Sequence, residues 1–119
     1  MEKENIIAHK SKAFAIRIIR MYQFLTTEKK EFVLSKQLLR SGTSIGANVR
    51  EGIYGQSRPD FHTKLTIALK ETAETEYWLE LLRETDYITN EQHKSIAADC
   101  TELLKILTSI TKKTKKNSN

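Results

Sequence analysis

The chain has 119 residues, 39% hydrophobic and 29% charged, with a formal net charge of +5 and a pI near 9.4. That length fits one domain with one small core, and the balance of apolar and charged residues excludes a disordered or fibrous chain. Every aliphatic run is broken by charge well short of the ~18 to 20 apolar residues of a membrane span, and the acidic start Met-Glu-Lys-Glu-Asn lacks the basic and apolar regions of a secretory signal, so no membrane partner and a cytoplasmic location are expected.

Apolar groups at Ile7, Phe14, Ile18, Tyr22 and Leu25 recur at helical spacing and predict a first helix over about 5–25, with Ile16 and Ile19 widening its face. Thr26 to Lys30 is polar and makes the first turn. A second helix over about 32–54 follows on Leu34, Leu38, Ile45, Val49 and Ile53, and its interior holds Gly42, Gly46 and Gly52 among small neighbours such as Ser41, Ser44 and Ala47. Glycine in a helix interior costs about 1 kcal/mol relative to alanine. The clustering therefore predicts that a neighbouring helix approaches this backbone closely.

Gly55 to Pro59 breaks the pattern. Ser57 is the expected N-cap of a third helix over about 58–87, with Pro59 in its first turn and Asp60 at capping-box spacing. This helix carries Phe61, Leu65, Ala68, Leu69, Thr72, Leu79 and Leu82. Thr89-Asn90-Glu91-Gln92 repeats the capping-box signature, and a fourth helix over about 90–112 follows on Ile96, Cys100, Leu103, Leu107 and Ile110, ahead of a basic disordered tail over 113–119. Short connections favour antiparallel neighbours. The expected fold is all-α, a single up-down-up-down four-helix bundle spanning 1–119.

Charge is distributed unevenly. Residues 58–88 carry four basic and seven acidic groups, whereas 1–30 carry seven against three and 89–119 six against three, so the third helix is acidic and the chain ends are basic. Lys10, Lys12, Arg17 and Arg20 on the first helix and Lys112, Lys113, Lys115 and Lys116 at the end of the fourth are the candidate nucleic-acid contacts. In a bundle these two helices are expected to be adjacent and to merge their cations into one surface that neutralises phosphates. The bland reading is that terminal lysines serve solubility and complement the helix dipole.

Enzymatic constellations fail on spacing. No glutamate has histidine three positions later, as a di-iron bundle requires. His9, His62 and His93 fall on different helices without an i, i+4 ligand partner, so no metal site and no cofactor are expected. Cys100 is the single cysteine, sits on an apolar stripe and is expected to pack as a small hydrophobe. Asn48, Glu51 and Glu74 lie close to the apolar stripes and are expected to form an inward-facing structural polar network, with Arg40, Arg50 or Asn48 supplying partners. Trp78 and Leu81 fall off the main stripe of the third helix and suggest a second apolar surface, a subunit contact.

The order L-L-R-S-G-T-S-I-G-A-N-V-R-E-G, S-R-P-D-F, I-A-L-K-E-T-A-E-T-E and L-R-E-T-D-Y-I-T resembles the four-helix-bundle proteins encoded within intervening sequences of bacterial 23S ribosomal RNA genes. The resemblance covers about residues 8–112. It implies a ring-like homopentamer, like that of the related accessory variability determinant of diversity-generating retroelements, which has a basic surface and binds nucleic acid and a protein partner, a reverse transcriptase. It brings no catalytic residues. Two readings follow: a non-enzymatic oligomeric protein that binds RNA or DNA, most plausibly structured RNA, through basic surfaces, and a protein-interaction scaffold without a direct nucleic-acid role.

Overall fold

A computed structural model describes residues 2–117, apart from the side chains of Lys3, Lys116 and Asn117. Four helices, α1 (Glu2–Thr27), α2 (Leu34–Ile53), α3 (Arg58–Glu84) and α4 (Asn90–Asn117), form an antiparallel up-down-up-down bundle 47 Å long and 21 × 20 Å across. Each packs on its chain neighbours and α1 closes the square against α4, while the diagonal pairs do not meet.

The core takes one stripe from each helix: Ile7, Phe14, Ile18 and Leu25 from α1, Leu38, Ile45 and Val49 from α2, Phe61, Leu65, Leu79 and Leu82 from α3, and Ile96, Leu103 and Leu107 from α4. Ile16, Ile19 and Ile53, expected on the core faces, are instead exposed by 48%, 41% and 36%. The stripe of Ile7, Phe14, Ile18 and Leu25 occupies the inward face of α1, so Ile16 and Ile19 lie off it, and Ile53 is the last residue of α2. Ser41, Thr72 and Thr75 are fully buried, with Thr75 Oγ1 2.9 Å from Ser41 Oγ and 2.8 Å from the carbonyl of Glu71. Among the described residues no buried side-chain polar atom lacks a partner, so these groups avoid the desolvation cost of an unmade hydrogen bond.

The glycines of α2 set the spacing to α1. A Cβ added at Gly42 would lie 2.7 Å from Cγ1 and 2.8 Å from Cγ2 of Ile18, and one at Gly46 would lie 3.3 Å from the Ser11 carbonyl oxygen. On the other side of α2, a Cβ at Gly52 would lie 2.8 Å from Leu65 Cδ2. Close approach therefore occurs on both flanks of the helix.

Four chain ends are fixed by specific caps. The Ser57 hydroxyl accepts the Asp60 N–H at 3.2 Å with Pro59 in the first turn, and Thr89 and Gln92 form a reciprocal box, at 3.0 Å to the Gln92 N–H and 2.8 Å to the Thr89 N–H. The start of α2 uses a device the sequence reading missed. Glu31 reaches forward so that its carboxylate accepts from the N–H groups of Val33, Leu34 and Ser35 at 3.1, 2.9 and 2.6 Å. Burial alone would raise its pKa, but the N–H groups of Leu34, Ser35 and Val33 and the Ser35 hydroxyl hold it below the ordinary 4.5. After α3, Asp86 turns the chain at φ 66°, with the Tyr87 N–H on the Leu82 carbonyl and the Asp86 N–H on that of Arg83. This is a Schellman ending with aspartate where glycine is usual.

The fourth helix does not end at 112 in a disordered tail. It continues to Asn117, because Thr111 and Thr114 are buried and the Thr114 hydroxyl meets His62 Nδ1 at 2.7 Å. Residues 118–119, the rest of the expected tail, lie outside the described residues.

Gly42→Leu should lower stability by about 1–3 kcal/mol, the typical cost of overpacking, and Gly42→Ala should also lower the Tm, because the Ile18 atoms it meets are close to the backbone and enclosed. Circular dichroism melts decide this, and unchanged Tm values for both variants would contradict the close-approach account. The lowered pKa of Glu31 fixes a second expectation. Its contribution is present above the unfolded pKa and disappears as pH falls through the folded one, so Glu31→Gln should be less stable at neutral pH and should lack that component of acid destabilisation below about pH 4.5. Denaturant melts of the two proteins from pH 7 downward measure it.

Candidate nucleic-acid interface

The bundle divides the cations of the chain into paired and unpaired groups. Lys10 Nζ lies 3.2 Å from Glu102, and Arg17 lies 2.7 Å from Asp99 while also donating to the hydroxyl of Ser95 at 2.9 Å and its carbonyl at 3.2 Å. Both side chains close the α1/α4 seam. Arg20 has no acidic partner among the described residues and lies beside a shallow depression formed with Met21, Phe24, Gln92 and Ile96. Lys12 turns away from α4 towards α2.

Lys112, Lys113 and Lys115 are exposed on the last turns of α4. The Thr114–His62 contact places them level with the start of α3, where Arg58 stacks over the Phe61 ring at 4.9 Å. In an antiparallel bundle that level also contains the end of α2, with exposed Arg50 and Tyr54, the latter 82% exposed. Lys12, Arg50, Arg58, Lys112, Lys113 and Lys115 have no ion-pair partner among the described residues, and the acids nearby are Glu2, Glu4, Glu51 and Asp60. Lys113 and Lys115, close to the C-terminal end of α4, also suit the negative end of its dipole.

The expected single surface across α1 and α4 is therefore not formed. Lys112 is about 20 Å along the axis of α4 from Asp99, the partner of Arg17, at 1.5 Å per residue. Arg17 and Arg20 belong to the middle and far part of the bundle, and the terminal lysines group with Arg50 and Arg58, which the sequence reading did not nominate. The side chain of Lys116 lies outside the described residues. Only the topology, which brings the end of α2 and the start of α3 beside the end of α4, reveals this grouping.

The expected inward network also separates. Glu51 is exposed and pairs with Lys64 at 3.0 Å, while the Asn48 amide donates to the Ser44 carbonyl of its own helix at 2.8 Å. Glu74 sits at the rim of the α2/α3 seam, where it binds Arg40 and accepts from the Trp78 indole N–H at 2.9 Å, and Arg40 reaches Glu71 at 3.3 Å as well. The indole hydrogen bond is the main cause that holds the Glu74 carboxyl below its ordinary pKa, against partial burial and with help from Arg40. A carboxylate paired at this rim avoids most of the desolvation cost it would meet in the interior. Trp78 is partly buried against the core and Leu81 is half-buried, next to Tyr77, which is 53% exposed.

Between α1 and α2 runs an open cleft of about 540 Å³ whose lining includes Asn5, Lys12, Gly46, Ala47, Arg50 and Tyr54. Cys100 is buried, its thiol pushed up to about 12 by burial and by the charge of Glu76, so it stays protonated. Among the described residues no group of three or more His, Cys, Asp or Glu side chains is placed to hold a metal ion, and no helix is long and apolar enough to cross a membrane.

The fold and the sequence agree on relatives. The structure superposes with a TM-score of 0.91 on the crystal structure of a protein of unknown function from the S23 ribosomal protein family of Bacteroides thetaiotaomicron, 62% identical in sequence, over 92% of this chain and 98% of that one. No curated protein matches the chain. The family model described as 23S rRNA-intervening sequence protein matches residues 3–109, and with this match across nearly the whole bundle the chain belongs to that family.

Proposed function

We propose that the protein is a non-enzymatic, oligomeric nucleic-acid-binding bundle whose ligand is structured RNA, held by its phosphates at the end formed by Arg50, Arg58, Lys112, Lys113 and Lys115. The observation that supports this reading is the sorting of charge. Along the seams Lys10, Arg17 and Arg40 are engaged by Glu102, Asp99, Glu71 and Glu74, while Arg50, Arg58, Lys112, Lys113 and Lys115, without ion-pair partners among the described residues, share one end with exposed Tyr54. Phosphate contacts release counterions, and an aromatic ring beside them gives an unpaired base a surface to stack on.

Self-assembly is part of the proposal, with five subunits the number implied by the family resemblance. Support for a subunit contact comes from the exposed apolar groups of α3, Ile67 and Tyr77, flanking Trp78 and Leu81. These same groups favour the scaffold reading if no nucleic acid binds. Light scattering on a size-exclusion column should give a mass several times the protomer at micromolar concentration, and Trp78→Ala should reduce it. A monomer would remove the oligomer.

RNA binding should show a steep salt dependence, about −0.7 to −0.9 in log affinity against log salt per phosphate contact. Replacing Lys112, Lys113 and Lys115 together by alanine should flatten that slope, whereas Arg17→Ala, which breaks the Asp99 pair, should act mainly on stability. Anisotropy titrations at several salt concentrations test this, with a charge-matched protein of dispersed lysines as control. Equal binding by the control near physiological salt would leave only general attraction, and the scaffold reading would then stand.

A further inference from the structure

The α1/α2 cleft opens at the same end of the molecule and shares Arg50 and Tyr54 with the end surface just described. Its lining is made of small residues, Ala8 and Ala15 from α1 and Gly46 and exposed Ala47 from α2, with Gly46 lying close to the Ser11 backbone. Lys12 projects from the α1 wall and Arg50 from the α2 wall, and neither has an acidic partner. Tyr54, one helical turn beyond Arg50 and 82% exposed, stands at the mouth, and the Asn5 amide faces it from α1. The volume of about 540 Å³ is that of a small-molecule site, within the usual range of roughly 300–1,000 Å³.

These features select an occupant. Two cations on opposite walls call for an anion, the lining of small alanine and glycine residues leaves room for a planar body, and the tyrosine ring and guanidinium call for a π-face. The free amide of Asn5 calls for polar atoms at that body's edge. An aliphatic chain satisfies the lining and neither the amide nor the cations, and a base-paired duplex is far too wide to enter. We propose that the cleft holds a single unpaired nucleotide of the bound RNA, its phosphate between Lys12 and Arg50 and its base on Gly46 and Ala47 against Tyr54. Splayed bases stacked on aromatic or guanidinium planes are the usual means by which proteins distinguish one structured RNA from another. The inference rests on the RNA reading above and adds to it that the target contains a bulge or loop.

The test compares a fully paired RNA hairpin with the same hairpin carrying one bulged purine. The wild-type protein should prefer the bulged RNA by about tenfold, the equivalent of one good charge-assisted contact. Ala47→Leu, at an exposed helical position, fills the cleft and should abolish the preference while leaving affinity for the paired hairpin unchanged. The alanine triple variant at Lys112, Lys113 and Lys115 should weaken both RNAs alike. Equal affinities for the wild type, or a preference that survives Ala47→Leu, overturns the inference and leaves the end-surface reading intact.

If neither hairpin binds better than to the dispersed-charge control, the end-surface reading fails, and titration with AMP still decides the cleft. Shifts of the Gly46 and Ala47 amide resonances with AMP but not with inorganic phosphate support it, and equal shifts or none overturn it. An assembly abolished by Ala47→Leu would show that a second copy fills the cleft, which also overturns it.

Discussion

The contact on which the structure depends is the approach of α2 to α1 at Gly42 and Gly46. Without side chains at these positions the Ile18 side chain lies directly on one turn of α2 and the Ser11 carbonyl on the next. That contact brings two helices together along a seam where neither offers a continuous run of large apolar groups. Beside that contact the two helices leave an open cleft whose lining includes Gly46 and Ala47. Larger residues would widen the seam and close the cleft.

Polar groups complete what the glycines begin. The α1/α4 seam is closed on its outside by Arg17 with Asp99 and Ser95 and by Lys10 with Glu102, and the α2/α3 seam by Arg40 with Glu71 and Glu74. Exposed pairs of this kind contribute little stability, about 0–1 kcal/mol each. Their larger consequence is electrostatic. They engage Lys10, Arg17 and Arg40 at the seams, so the surface expected to run along α1 loses two of its cations, Lys10 and Arg17, to α4.

Much of the fold was legible in the sequence because the relevant signals are local. Helical spacing located all four helices, the S-R-P-D and T-N-E-Q segments marked two helix starts that the caps match, and the glycine cluster announced a close approach. What was not legible had two causes. Glu31 caps α2 from local spacing, but glutamate is not among the preferred capping residues, whereas the helical course of residues 113–117 depends on His62, remote in the chain. For the candidate site the terminal lysines were visible as a run, but Arg50, Arg58 and Tyr54 join them only through the antiparallel topology. Glu51 and Glu74 sit near apolar positions in sequence, yet a long carboxylate side chain lets each reach a surface cation instead of the core.

The central claim is that nucleic acid meets one end of the bundle. Ultraviolet cross-linking of bound RNA, read out by peptide mass spectrometry, tests it directly because both ends carry exposed aromatic groups, Tyr54 at one and Phe32 at the other. Cross-links on the peptide that contains Tyr54 are the predicted result. Cross-links concentrated at Phe32 and Tyr87 would contradict the account.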